Sequence, residues 1–324
     1  MKNRPKIKIG LRTIKTAISA TLAVLVANVF HLEYAVSAGI IAVLSVSNTK
    51  KSTIITGVNR LLSLLIAILL AALLFHTLGF TPITFGIYLL LFIPITTYLG
   101  MSDGIVVNSV LVTHFLIEKQ TSLPLILNEL LLMCIGVGFA LIANLYMPND
   151  EKELAENQLE LELEFKEIAG LLASHVNRKM EAEQLYKRCH KLLLFTEKNV
   201  TISQKYMENH VFSRNEFFYK YFTMRQMQVN ILSEILQHMI KLEVDTEHFD
   251  EIARIFENLS LTYATNNDGK ILLEQIQNAY ASYREMPLPK TREEFENRAG
   301  LFQVLQLIEV MIQVKREFVR EMEN

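Results

Sequence analysis

The first 150 positions of the chain carry long apolar runs separated by short polar breaks. Beyond them, apolar residues recur every three or four places in a charged background, the spacing of amphipathic helices. Six apolar runs stand out, at residues 16–32, 35–46, 54–78, 83–99, 104–117 and 123–147. A helix that crosses hydrocarbon needs ~20 apolar residues. The second and fifth runs are therefore short, and read as full spans or as core-buried or re-entrant helices. A polar hinge, Ser47-Asn48-Thr49-Lys50-Lys51-Ser52-Thr53, separates the second run from the third, and Arg60 lies just inside the third. Two membrane helices joined on the cytoplasmic side fit this arrangement. The pattern predicts an all-α molecule: a six-helix transmembrane bundle at residues 1–148, then a cytoplasmic helical bundle at residues 149–324.

Charge orients the first part. Lys2, Arg4, Lys6, Lys8, Arg12, Lys15, Lys50, Lys51 and Arg60 fall on one side of a six-span arrangement, and Lys119 alone on the other. Such a bias places both termini in the cytoplasm of a cell membrane. An odd number of spans would strand the charged tail outside. The basic start before an apolar run resembles a signal peptide, but no A-x-A-like cleavage site follows, so the first run reads as an uncleaved helix. Residues 1–150 hold ten Lys/Arg and five Asp/Glu; the remainder holds twenty-two and twenty-nine. The halves are thus basic and acidic in turn, with no block of charge that calls for nucleic acid.

The tail predicts helices and no strands. Leu154, Leu161, Phe165, Ile168, Leu172 and Val176 share one helical face, with glutamates opposite. A last helix should bury Phe295, Ala299, Phe302, Leu305, Ile308, Ile312 and Val319. Ser213–Glu216 and Thr291–Glu294 fit the capping box, Pro148-Asn149-Asp150 ends one helix and caps the next, and Thr265–Gly269 is a turn. The cluster Phe217-Phe218-Tyr219 with Tyr221-Phe222 reads as core or interface.

Little here supports an enzyme, a metal site or a cofactor. Gly170, Gly269 and Gly300 are too scattered to cradle phosphate. His175, His190, His210, His238 and His248 lack ligand spacing, and none precedes an acidic residue as a phosphoacceptor histidine would. Cys134 and Cys189 offer neither a CxxC nor a disulfide framework, and read as reduced thiols.

Shifting the chain by 69 positions lays Lys50 on Lys119, Asn59 on Asn128, Leu61-Leu62 on Leu130-Leu131 and Ala71 on Ala140. A faint repeat of this kind describes two three-helix units of opposite orientation. Short segments at matching places then point to a substrate path. Arg60 falls opposite Glu129 in this register, at opposite faces of the membrane, so no salt bridge between them is expected. Asn28, Asn59, Arg60, Asn108, His114, Asn128, Glu129 and Asn144 interrupt the runs, and each should face protein or water. Gly39, Gly136, Gly138 and Ala140 offer small faces for close helix packing. Two roles stand open for Arg60: anchoring the helix end at lipid phosphate, or receiving an anion at the cytoplasmic mouth through parallel hydrogen bonds. His114 could titrate near neutrality and couple protons, or serve as a structural hydrogen-bonding group. Asn108 and Glu129 stand between binding and packing in the same way.

The stretch Gly57-Val58-Asn59-Arg60-Leu61-Leu62-Ser63 resembles the G-x-N-R-x-x-G-T signature of the fusaric-acid-resistance and aromatic-acid-exporter group, which includes plant aluminium-activated malate transporters. Leu11–Lys15 ahead of the first run and the short second run fit the same pattern. Gly57, Asn59 and Arg60 match, whereas Ser63 replaces glycine and Leu64 replaces threonine. The whole chain is similar to the smaller bacterial members, six spans followed by the family's C-terminal helical domain. The resemblance implies proton-driven export of aromatic or other organic carboxylates by a half-transporter that works as a homodimer. Gly57, Asn59 and Arg60 from the signature, with Asn108, His114 and Glu129 from the polar interruptions of the runs, are the candidate substrate-binding residues, and the implied partners are the lipid bilayer, small organic anions and a second copy. An anion channel on the same scaffold, or a membrane-tethered regulatory protein with a partner-binding tail, are the alternatives.

Overall fold

A computed structural model of the 324-residue chain describes residues 10–147, 150–175, 179–211, 215–242, 246–262 and 269–323. The described residues are helical, with no strand among them. The chain divides into two compact units, Met1–Pro148 with Glu208–Phe212, and Asn149–Met207 with Ser213–Asn324.

In the first unit six helices occupy the six apolar runs: α1 (Leu11–Val29), α2 (Val36–Ser45), α3 (Lys50–Leu78), α4 (Pro82–Tyr98), α5 (Ile105–Glu118) and α6 (Leu123–Leu145). Their ends follow from local chemistry. Thr49 opens α3 by accepting from Ser52 N (3.2 Å), and Thr81 does the same for Thr84 N (3.2 Å) ahead of Pro82. A single 3₁₀ turn, Ser102–Gly104, leads into α5. Among the described residues, α1, α3 and α6 are long and apolar enough to cross a membrane. At 1.5 Å per residue, the ten residues of α2 reach only about 15 Å.

The outside of this unit is apolar and its inside holds polar groups. Leu69, Ile83 and Leu90 are 73%, 77% and 75% exposed, while Arg60, Asn108, His114 and Glu129 are buried. Water would penalise such a surface, and lipid would not. Asn28 is the exception among the polar interruptions, lying exposed on α1.

Small residues set the helix spacing. Gly136 on α6 lies so close to α2 that an added Cβ would sit 2.6 Å from Ile41 Cβ and 2.7 Å from the Ala38 carbonyl oxygen. Gly39 on α2 faces Val24 and the Ala20 carbonyl of α1 in the same manner, and Gly57 faces Val137. Gly138, by contrast, has no neighbour within 4 Å.

The helices form two interlocked trios. α1, α2 and α6 pack on one another; so do α4, α5 and α3; and α3 meets α6. Exchanging α1 with α4, α2 with α5 and α3 with α6 leaves these contacts unchanged, while the slighter contact of α2 with α3 has no counterpart of its size between α5 and α6. Under the shift of 69 positions the first three helices land on the last three to within four residues at every end. Even a backbone detail repeats: His31 (φ 52°) and Gly100 (φ 72°) are both left-handed at matching places. Glycine adopts that conformation without the steric cost of a Cβ.

The second unit holds α7 (Glu151–His175), α8 (Lys179–Asn209), α9 (Phe217–Lys241), α10 (Thr246–Thr262), α11 (Lys270–Glu285) and α12 (Arg292–Glu323). α9 packs on α12, α7 on α10, and α11 joins α10 and α12. Leu154, Leu161, Phe165, Ile168 and Leu172 of α7 are in the core, as are Phe218, Tyr221 and Phe222. Arg225 is fully buried among them. It donates to the Tyr221 hydroxyl (3.0 Å), to Gln228 Oε1 (2.9 Å) and to Glu162 Oε1 (3.3 Å). Thr291 caps α12 by accepting from Glu294 N (3.1 Å), and Glu294 Oε2 accepts from Lys290 N (2.8 Å), one residue earlier than a capping box specifies. Of the apolar face expected for α12, Leu305, Ile308 and Ile312 are buried and Val319 is half-buried, whereas Phe295 (60%), Ala299 and Phe302 (38%) are exposed. Val176, Pro148-Asn149, Ser213-Arg214 of the expected capping box and residues 265–268 of the expected turn lie outside the described residues, as do the side chains of His175 and His248.

Candidate functional site

The candidate residues of the first unit gather in two clusters, one toward each end of the short helix α5, while Asn144 stands outside them and donates to the Ser47 carbonyl (2.9 Å) and Thr53 Oγ1 (2.5 Å). The first is built around Arg60. Its Nε donates to the Asp103 carbonyl (3.1 Å), Nη2 to the Leu44 carbonyl (2.9 Å), and Nη1 to the Ile41 carbonyl (3.4 Å) and to Ser45 Oγ. Guanidinium has five N–H groups, and these bonds occupy four of them. Leu44 lies in the last turn of α2, where carbonyls have no helical partner and the dipole favours a cation, and Ile41 lies one residue ahead of that turn. Arg60 therefore clasps the C-terminal end of α2 to α3 and to the turn before α5. It is 6% exposed, so neither lipid-phosphate anchoring nor an open anion mouth describes it in this conformation.

Asn59 and Gly57 flank this clasp. Asn59 is half-buried and reaches the Gly100 carbonyl and Asp103 Oδ2 at 3.5 Å each. Asn108, on α5, donates to Ser63 Oγ (2.7 Å) and to the Arg60 carbonyl (3.3 Å), and its Oδ1 is buried without a partner. Ser63 in turn donates to the Asn59 carbonyl (2.6 Å). The serine that departs from the exporter signature is accommodated by Gly104, whose missing side chain leaves room for its hydroxyl.

The second cluster is a histidine–carboxylate pair. His114 Nδ1 lies 2.8 Å from Glu129 Oε2, and Nε2 lies 3.4 Å from Ser37 Oγ. The Tyr34 ring stacks on the imidazole, centroids 3.9 Å apart and planes 7° apart, and its hydroxyl donates to Glu118 Oε1 (2.6 Å). Asn128 holds the other carboxylate oxygen: its Nδ2 donates to Glu129 Oε1 (3.1 Å) and to the Glu33 carbonyl (3.0 Å), while its Oδ1 accepts from Glu33 N (2.9 Å). A buried carboxylate against an imidazole is expensive unless it is fully hydrogen-bonded, and here it is.

The two clusters are equivalent under the repeat. The shift of 69 positions lays Ser45 on His114 and Arg60 on Glu129, so the contacting pair Arg60–Ser45 maps onto Glu129–His114. Asn59, which reaches the loop before α5, maps onto Asn128, which reaches the loop before α2. The six candidate residues thus fall into separate sites: Gly57, Asn59, Arg60 and Asn108 in one, His114 and Glu129 in the other. Tyr34, Ser37, Ser45 and Asp103 went unnoticed in the sequence. The register of the repeat could have found one of them, because it lays Ser45 on His114.

Among the described residues no group of three His, Cys, Asp or Glu could hold a metal ion. Cys189 is buried in the second unit, where desolvation pushes its thiol up to about 12 and makes it a poor nucleophile.

Comparison with known proteins settles the kinship. The model of "Aromatic acid exporter family member 1" matches residues 7–147, and that of the "Putative aromatic acid exporter C-terminal domain" matches residues 151–316. The chain belongs to the aromatic acid exporter family. This is a family of exporters and not of enzymes. A family relative, "Uncharacterized protein YqjA" of Bacillus subtilis (strain 168), is 32% identical over 316 residues, 96% of each chain. A solved structure titled "Crystal structure of putative membrane protein from Clostridium difficile 630" is 20% identical with a TM-score of 0.45, covering 51% of this chain and 98% of its own. Membership in the aromatic acid exporter family, together with the apolar helices, makes this a membrane protein.

Proposed function

We propose that the protein exports aromatic or related organic carboxylates across the cell membrane in exchange for protons. The observation that carries the coupling is the buried His114–Glu129 pair, held by Ser37, Asn128 and Tyr34 at the opposite end of α5 from the Arg60 clasp. In this reading the six apolar helices cross as two inverted repeats, both termini and the second unit are cytoplasmic, and two copies make the working transporter. Arg60–Ser45 closes the cytoplasmic end and His114–Glu129 closes the outer end. Export proceeds by opening one end at a time. The groups facing the pair are Tyr34, Ser37 and Asn128, with Glu118 beyond the Tyr34 hydroxyl and Glu33 in the same loop. A proton taken up there changes the side-chain contact between α5 and α6, which links proton entry to opening of the outer end.

The test uses proteoliposomes loaded with benzoate. Wild-type protein should move benzoate against its gradient when the opposite side is acidified. Glu129→Gln and His114→Ala should lose that uphill movement about a hundredfold, yet retain exchange of labelled for unlabelled benzoate. Uphill transport unchanged in both variants would remove the pair from the coupling step. Benzoate currents that follow voltage and ignore the pH gradient would make the protein a channel.

A further inference from the structure

The second unit contains a cavity that its helical core does not explain. After α11 the chain runs Met286-Pro287-Leu288-Pro289, held extended by two prolines, and then enters α12. Under this link lies a space of about 310 Å³ walled by Tyr283, Leu288, Phe295, Leu301 and Phe302. That is the size of a site for a single small organic molecule. Its charged wall residues are two arginines, Arg284 and Arg298; among the described residues no carboxylate lines it. Arg298 is fixed in place, donating from Nη1 to the Pro287 carbonyl (2.6 Å) and from Nη2 to Glu294 Oε1 (2.5 Å). Its Nε is buried and has no acceptor.

Two further features mark this space as made for an occupant. Leu288 and Phe295 are 88% and 60% exposed at its rim, an apolar patch left in water at a cost that a bound apolar group would offset. Phe302 is already oriented by the Tyr280 ring, 5.2 Å between centroids, so an aromatic surface stands ready beside the arginines. Ring faces with a positioned N–H on the Glu294-paired Arg298 and a second arginine, Arg284, suit a flat molecule that carries one negative charge.

We infer that this cavity binds a small aromatic carboxylate, its ring between Phe295 and Phe302 and its carboxylate at Arg298 Nε and Arg284. The site is built from residues of the second unit alone, whereas the His114 and Arg60 clusters belong to the first. It rests on the chemistry of its own wall, and shares only the ligand class with the transport reading. A site of this kind lets the second unit report the concentration of the acid.

The experiment titrates the full chain in lipid nanodiscs with 4-fluorobenzoate, followed by ¹⁹F line broadening. Wild type should bind saturably. Arg298→Gln and Phe295→Asp should weaken binding about tenfold or more, and the uncharged 4-fluorobenzamide should bind wild type about tenfold more weakly than the acid. Phe295 is exposed, so Phe295→Asp keeps the fold and decides the matter if Arg298→Gln lowers helicity. Unchanged binding in Phe295→Asp, equal binding of the amide, or no saturable binding to wild type would overturn the inference. So would a wild-type dimer that Phe295→Asp dissociates without any probe bound, since a second copy would then cover the patch. Flux in proteoliposomes without binding at this cavity sinks this inference alone; binding without flux sinks the transport reading alone.

Discussion

Buried arginines do different work in the two units. Arg225 sits among Glu162, Tyr221 and Gln228, an ion pair reinforced by neutral partners, whereas Arg60 bonds almost entirely to backbone carbonyls. The Arg60 arrangement depends on shape more than on charge, because a flat fork serves the α2 carbonyls and the Asp103 carbonyl at once. Lysine keeps the charge and cannot span those acceptors. Arg60→Lys should therefore destabilise the protein by about 1–3 kcal/mol and Arg60→Ala by about 3–5 kcal/mol, read as the thermal unfolding of the full chain in one detergent. Wild-type stability in Arg60→Lys would mean that the clasp contributes nothing. Arg60 was conspicuous in the sequence because charge is rare in an apolar run. Its partners were not, since backbone carbonyls leave no mark on a sequence and Ser45 looks like any serine.

Helix spacing around α2 is set by glycine. Gly136→Ala would push a methyl group into Ile41 and the Ala38 carbonyl, and backbone does not move aside as a flexible side chain does. α2 is held mainly between α1 and α6, so the variant should unfold at a distinctly lower temperature, by about 1–3 kcal/mol of lost stability. Gly138→Ala meets nothing within 4 Å and should be neutral, or up to about 1 kcal/mol more stable through helix propensity. Equal behaviour of the two variants in the same detergent would refute the close packing. Both glycines looked alike in the sequence, because which side of α6 faces α2 is decided by tertiary contacts. The helices were more legible: all six apolar runs became helices, since unbroken apolar stretches bounded by Thr, Pro and Gly leave the backbone few alternatives. The start of α12 misled for the opposite reason. Phe295 and Phe302 have core spacing, yet the proline link leaves a cavity where the core should have been.

At the scale of the molecule the repeat organises everything that the separate residues could not. A 69-residue offset supported by a handful of common residues proves to superimpose helix ends, neighbour relations and the pairs Arg60–Ser45 and Glu129–His114. Sequence preserved the register but not its meaning, since one copy carries an arginine–serine contact and the other a carboxylate–histidine contact. Two copies with opposite charge at one position are what a carrier needs if its two ends answer to different ligands, an anion at one and a proton at the other. That argument holds only if the copies are inverted in the bilayer, which requires α1 to α6 to cross six times. Lys51, at the start of α3, and Lys119, at the end of α5, are both exposed and occupy opposite sides in that arrangement. In a background lacking Cys134 and Cys189, Lys119→Cys should react with a membrane-impermeant maleimide on intact cells, and Lys51→Cys only after the membrane is opened. Labelling of both from the same side would mean an even number of crossings among α3, α4 and α5, and with it the inverted repeat and the two-ended mechanism would fall.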